Sequence, residues 1–262
     1  MTLHKPSNGA WVFRLRRPAP PKLRLFCFPY AGGSAAVYRA WTSALPPQVE
    51  MCAVRLPGRE ARLAEPPFTR AEVLVPAVAE GLAPLLDLPY ALLGHSMGAV
   101  AAFELARHLR CRGGRLPVRL FLSGARAPER PNPDPPLGHL SDQEFLTEVR
   151  RRYDAIPGAV LENPELVQLL LPSLRADFAV FESYVYQDLP PLDFPISAFG
   201  GLDDPRVSGE DVAAWGRHTA SAFSVRMFPG DHFFIHSAEA AVQRAVLEDL
   251  GLSDGTAEGV AG

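Results

Sequence analysis

Cysteine is scarce: three residues in 262 (Cys27, Cys52 and Cys111), too few and too scattered for a metal site or a disulfide framework. Cys27 and Cys52 lie in apolar, strand-like runs, where a reduced thiol behaves as a small buried hydrophobe. Long hydrophobic runs are missing too. No stretch approaches the roughly 18 to 20 apolar residues of a membrane span, and Met1–Arg24 lacks the apolar core of a signal peptide. Neither sign of charge dominates. Lys and Arg number 26 against 29 Asp and Glu, so a net charge of -3 leaves no basic field for nucleic acid. No internal repeat is found. These absences predict a cytoplasmic protein that engages neither membrane nor nucleic acid.

What is present is the pattern of an α/β protein in a single domain spanning 1–262, with a polar tail at about 251–262 expected to fray. Short apolar runs predict strands at Leu23–Phe28, Met51–Leu56, Tyr90–Leu93, Arg119–Ser123, Ile196–Phe199 and Phe223–Phe228, with Trp11–Leu15 as an edge strand. Helical patterns fall between them, at Ala35–Ala44, Arg70–Leu86, Met97–Arg110, Gly209–His218 and Ala238–Leu250. Alternation of this kind builds a mostly parallel sheet with helices on both faces. It breaks between Ala125 and Pro195, where about 70 residues replace an ordinary crossover. Ser141-Asp142-Gln143-Glu144 reads there as a capping box, and Asn163-Pro164 as a second helix start. A helical lid inserted at about 126–190 is the expectation; a lobe that merely adds core is the alternative.

Gly94-His95-Ser96-Met97-Gly98 follows one apolar run and precedes a helical one, which is the setting of a nucleophile elbow. A serine hydroxyl at neutral pH needs a base. His232, in Gly230-Asp231-His232-Phe233-Phe234, stands just after the last strand, where an α/β-hydrolase carries that group; His236 is its rival. His95 adjoins the serine and should point away. The orienting carboxylate should follow the preceding strand, where Asp203 and Asp204 are both available. The pattern Gly201-x-x-Asp204-Pro205-x-Val207 favours Asp204, with Asp203 the alternative register. The oxyanion hole needs two backbone donors. Met97, after the nucleophile, supplies one. The loop Phe28-Pro29-Tyr30-Ala31-Gly32-Gly33-Ser34 supplies the other, with Ala31 the choice; a phosphate nest is the competing reading of that loop.

With these pieces placed, the chain resembles the type II (external, editing) thioesterases of modular polyketide and nonribosomal peptide synthesis. The carriers are Phe26–Gly33, Arg55-Leu56-Pro57-Gly58-Arg59-Glu60, the serine motif, Leu174-Arg175-Ala176-Asp177-Phe178 and Gly230–Phe234. The resemblance implies the α/β-hydrolase fold, with a helical insertion covering the acyl chamber. It also implies hydrolysis of stalled or aberrant acyl groups from the phosphopantetheine arm of acyl or peptidyl carrier proteins. Serine-based thioester cleavage calls for no cofactor and no metal, and a monomer is expected. Because carrier proteins are generally acidic, Arg150-Arg151-Arg152 with Arg126 and Arg130 is the candidate docking surface, a solvated helix face being the alternative. A general small-molecule esterase and a product-releasing thioesterase would carry the same triad and remain open.

Overall fold

Strand β4 (Tyr90–His95) is buried at every position, as an apolar run must be when helices cover both faces of its sheet. The computed structural model describes residues 11–14, 20–153 and 162–252. Its seven-stranded sheet comprises β1 (Val12–Arg14), β2 (Leu23–Phe28), β3 (Val49–Val54), β4, β5 (Arg119–Ser123), β6 (Ile196–Gly201) and β7 (Phe223–Phe228). The strand order is β1-β3-β2-β4-β5-β6-β7. Only β1 runs antiparallel, against β3; every other neighbouring pair is parallel.

Side chains alternate across the sheet with the strand period of two. Phe26 and Leu92 join the core on one face, beneath α2 (Ala71–Leu82) and α3 (Met97–Cys111). Leu25, Cys27 and Leu93 join the other, beneath α1 (Trp41–Ala44) and the last helix, Glu239–Asp249. Several expected helices are shorter than their patterns. The stretch expected at Ala35–Ala44 divides into a 3-10 turn at Ala35–Tyr38 and the single turn α1. Tyr38 donates its hydroxyl to the Phe28 carbonyl at 2.8 Å, which holds the first turn against the end of β2. Likewise Gly209–His218 is an α-helical turn to Ala213 followed by a 3-10 segment, and the helix expected at Arg70–Leu86 gives way to a 3-10 turn at Ala83–Leu85. The strand expected at Met51–Leu56 lies two residues earlier. The edge strand is Val12–Arg14; Leu15 lies outside the described residues, as does the tail from 253 onward.

Strands β5 and β6 are parallel neighbours, yet the chain between them detours through α4 (Asp142–Tyr153) and α5 (Pro164–Glu182). Both start where their caps predict. Ser141 Oγ accepts the Glu144 amide at 3.4 Å while Glu144 accepts the Ser141 amide at 3.0 Å. Asn163 Oδ1 accepts the amides of Glu165 and Leu166 at 3.1 and 3.2 Å. The two helices share a small core of Leu137, Phe145, Val149, Leu174 and Phe178, against which Ala31 packs. The insertion therefore sits over the carboxyl end of β2. Among the described residues no helix is long and apolar enough to cross a membrane.

Candidate active site

Ser96 is the single residue between β4 and α3, with φ +54° and ψ −120°. A side-chain-bearing residue held at positive φ costs free energy, and such conformations cluster where function needs a side chain aimed. The flanking glycines are a steric requirement of this turn. A Cβ at Gly94 would stand 2.0 Å from the Gly98 carbonyl oxygen, and one at Gly98 would stand 2.3 Å from that of Phe28. The Ser96 amide donates to the Ser123 carbonyl at 2.8 Å, fastening the elbow to the end of β5.

The other polar groups arrive from the carboxyl ends of β6 and β7. The Asp204 carboxylate is fully buried. Its Oδ1 accepts the amides of Arg206 and Val207 at 2.9 and 3.2 Å, and its Oδ2 accepts His232 Nδ1 at 2.8 Å. An ionised carboxylate only accepts, so Nδ1 must carry the proton and Nε2 is left free to accept. Ser96 Oγ donates to that Nε2 at 3.1 Å. The structure thus brings Asp204 to the imidazole, while Asp203 is exposed and binds back through its amide to the Gly230 carbonyl. The rings of His95, Tyr153 and Phe233 surround His232 at centroid distances of 5.4, 5.4 and 5.3 Å.

The rival His236, and His95 beside the serine, are engaged elsewhere. His236 pairs through Nε2 with the Tyr30 hydroxyl at 3.0 Å. His95 is fully buried and pairs through Nδ1 with Ser123 Oγ at 2.9 Å. Burial first, then the neighbouring His232, push its pKa well below the usual imidazole value, so it stays neutral.

Met97 opens α3, so its amide has no intrahelical acceptor. Ala31 and Met97 line the same small chamber as Ser96 and His232, about 30 Å³, closed by Val149, Tyr153, Phe178 and Phe181. The phosphate-nest reading of the early loop fails, because both of its glycine amides are already used: Gly33 donates to the Tyr30 carbonyl at 2.9 Å and Gly32 to Asp177 Oδ2 at 2.7 Å, beside a carboxylate that would repel an anion. A second cavity of about 710 Å³ begins at Tyr30 and Ala31 and runs along α5, past Val167, Leu171 and Leu174. The expected arginine surface keeps Arg150 and Arg151, which are exposed, but not Arg152. Arg152 is buried, donating to Glu148 Oε1 at 2.7 Å and to the Pro135 carbonyl at 2.9 Å. Arg151 shares Glu148, and Arg130 pairs with Asp211. Residue-by-residue reading also missed the contact of Asp177 with this loop, although both lie in segments that carry the resemblance.

Comparison with known proteins bears on the chemistry. The family model for the thioesterase domain matches residues 23–251. The chain belongs to the thioesterase family. This thioesterase is 44% identical over 229 residues to the gramicidin S biosynthesis protein GrsT of Aneurinibacillus migulanus, covering 87% of the chain and 89% of that protein. Among solved structures it resembles BorB, the type II thioesterase of the borrelidin biosynthetic cluster, with a TM-score of 0.82 at 35% identity, covering 92% and 97% of the two chains. RedJ, a thioesterase of the prodiginine pathway in Streptomyces coelicolor, gives a TM-score of 0.80 at 38% identity over 88% and 89%. The fold of the thioesterase is accordingly the α/β-hydrolase fold, and its similarity to enzymes of natural-product assembly lines extends over most of its length.

Proposed function

We propose that this thioesterase is a type II editing enzyme, which hydrolyses stalled or aberrant acyl groups from the phosphopantetheine arm of acyl or peptidyl carrier proteins. The observation that carries the hydrolytic chemistry is the relay from Ser96 Oγ through His232 to the buried Asp204, with hydrogen bonds of 3.1 and 2.8 Å, and likeness to the type II thioesterase BorB supports the editing role. Ser96 Oγ attacks the thioester carbonyl carbon as His232 Nε2 takes the hydroxyl proton. The carbonyl oxygen becomes an oxyanion facing the amides of Met97 and Ala31. Collapse breaks the C–S bond, His232 returns its proton to the departing thiolate, and the acyl group remains on Ser96. Water then attacks the ester with His232 again as base, and the acid leaves as Ser96 Oγ regains its proton. Asp204 keeps the imidazole in the useful tautomer and stabilises imidazolium without being protonated.

The larger cavity, which shares Tyr30 and Ala31 with the chamber as lining, offers an apolar route for an extended thioester arm, with the insertion acting as the lid. Relatives in peptide and polyketide assembly support a carrier protein as the partner. We take the enzyme to act as a monomer in the cytoplasm. The test is labelling with a fluorophosphonate probe and mapping by mass spectrometry, alongside acyl-carrier hydrolysis by Ser96→Ala. Label on Ser96 and an inactive variant are expected. Label confined to another residue, or a variant that still hydrolyses acyl-carrier protein, refutes the assignment.

A further inference from the structure

Arg59 and Asp177 lie 118 residues apart in sequence and meet as a buried ion pair, with 6% and 4% of their side chains exposed. Arg59 Nη1 donates to Asp177 Oδ2 at 2.8 Å and Nη2 to Oδ1 at 2.6 Å, the parallel two-bond fit of guanidinium to carboxylate. Both partners then grip the same loop. Asp177 Oδ2 accepts the Gly32 amide at 2.7 Å, and Arg59 Nη1 donates to the Gly33 carbonyl at 2.8 Å. The Gly32 amide lies one residue beyond the Ala31 amide. Leu174, one turn before Asp177 on α5, closes over the same spot: a Cβ at Gly32, whose φ is +75°, would lie 2.6 Å from Leu174 Cδ1.

Stability is a weak reason for such a pair. Removing two charges from water is costly, and well-packed apolar replacements of buried pairs are often neutral or stabilising. Here the pair also leaves Arg59 Nε buried with no acceptor among the described residues. What the pair does supply is a fixed backbone path through Gly32 and Gly33, set jointly by the helix inserted after β5 and the loop that follows β3.

We infer that Arg59 and Asp177 are positioning residues, which aim the Ala31 amide at the oxyanion and complete the oxyanion hole only when α5 is seated over it. The inference rests on the proposed roles of Ser96 and Ala31. Neither partner touches the reacting atoms. They act through the loop, so their loss lowers transition-state binding and leaves substrate binding nearly intact.

The test compares the parent enzyme with the apolar double variant R59M/D177L and with Asp177→Asn, in which Arg59 keeps its charge. An acyl-N-acetylcysteamine thioester reports kcat and KM. A trifluoromethyl ketone analogue, which adds Ser96 to form a tetrahedral oxyanion, reports the hole itself, and urea unfolding reports stability. A misplaced donor predicts a fall in kcat of about 10²-fold, with KM moving less than about threefold. Ketone affinity should fall in step with kcat/KM, while the urea midpoint of the double variant stays near the parent's. Undiminished kcat and ketone affinity in folded R59M/D177L overturn the inference; so does a rate loss that merely tracks a loss of folded protein. Should the double variant not fold, Asp177→Asn decides by the same two readouts. A parent enzyme that leaves Ser96 unlabelled by fluorophosphonate would instead defeat the underlying mechanism. Labelled Ser96 with an indifferent ion pair defeats the positioning role alone.

Discussion

Asp204→Asn changes one atom, and the structure dictates which way the new amide must face. Asp204 Oδ1 accepts two backbone amides, from Arg206 and Val207, at 2.9 and 3.2 Å. Only the amide oxygen of an asparagine can replace it there. The NH2 group is then turned toward His232 Nδ1, where Oδ2 stood 2.8 Å away. A donor in that place forces the proton onto Nε2, and an Nε2–H cannot accept from Ser96 Oγ. The geometry stays; the tautomer is wrong. The analogous change in a serine protease triad lowers kcat by about 10⁴, which corresponds to roughly 5.4 kcal/mol of transition-state stabilisation. We expect a loss of 10³ to 10⁴ in kcat, about 4 to 5.4 kcal/mol, on an acyl-N-acetylcysteamine thioester. Asp203→Asn, at an exposed side chain, is expected to stay within about threefold of the parent. A tenth or more of the parental kcat in Asp204→Asn, or a severe loss in Asp203→Asn instead, would refute this reasoning.

Gly98→Ala would place a methyl group 2.3 Å from a backbone oxygen of β2, which no side-chain rotation relieves. Destabilisation of about 3 kcal/mol or more, or failure to fold, is expected in urea titrations; ordinary stability and activity would contradict the close approach. Buried His95 stays neutral while an unfolded imidazole titrates near pH 6.5. Its folded pKa is depressed, so its contribution is complete above about pH 6.5 and falls by up to about 1.4 kcal/mol per unit as the pH drops below that value. Urea unfolding at pH 7.5 and 5.5 checks this: His95→Gln should show a slope flatter by that one proton, and equal slopes would dismiss it. Phe178 stacks edge-on against Phe145 and Tyr153 and walls the 30 Å³ chamber. Phe178→Ala should cost about 3 to 5 kcal/mol of stability and shift acyl preference toward longer chains. An unchanged ratio of octanoyl to acetyl hydrolysis would place the acyl group elsewhere.

The sheet was legible because its information is local. Apolar runs such as Leu23–Phe28 and Arg119–Ser123 specify burial on two faces, and the structure has those strands with the same bounds. The elbow around Ser96 and the caps at Ser141 and Asn163 are local as well, since a turn or a helix start is decided by the few residues that compose it. Position just after the last strand favoured His232 as the candidate base over His236. The loop pattern favoured Asp204 with Asp203 as the alternative register, because adjacent carboxylates in a loop differ only in where the backbone turns them. Tertiary structure decided that by giving Asp204 two amides and an imidazole to face.

Charge was the least readable property. Arg150, Arg151 and Arg152 look alike in sequence, yet Arg152 is turned inward by Glu148 and the Pro135 carbonyl. Arg59 and Asp177 give no local sign of meeting. A hydrophobic pattern reports the face on which a residue lies, whereas the partner of a buried charge depends on which distant elements the folded sheet brings together. The sequence by itself determined where the strands fall to within about two residues, the elbow, and the order of the candidate site residues. Only the tertiary structure placed the Asp204 carboxylate against the His232 ring and Arg59 against Asp177, because such contacts are made by hydrogen-bond geometry between segments far apart along the chain.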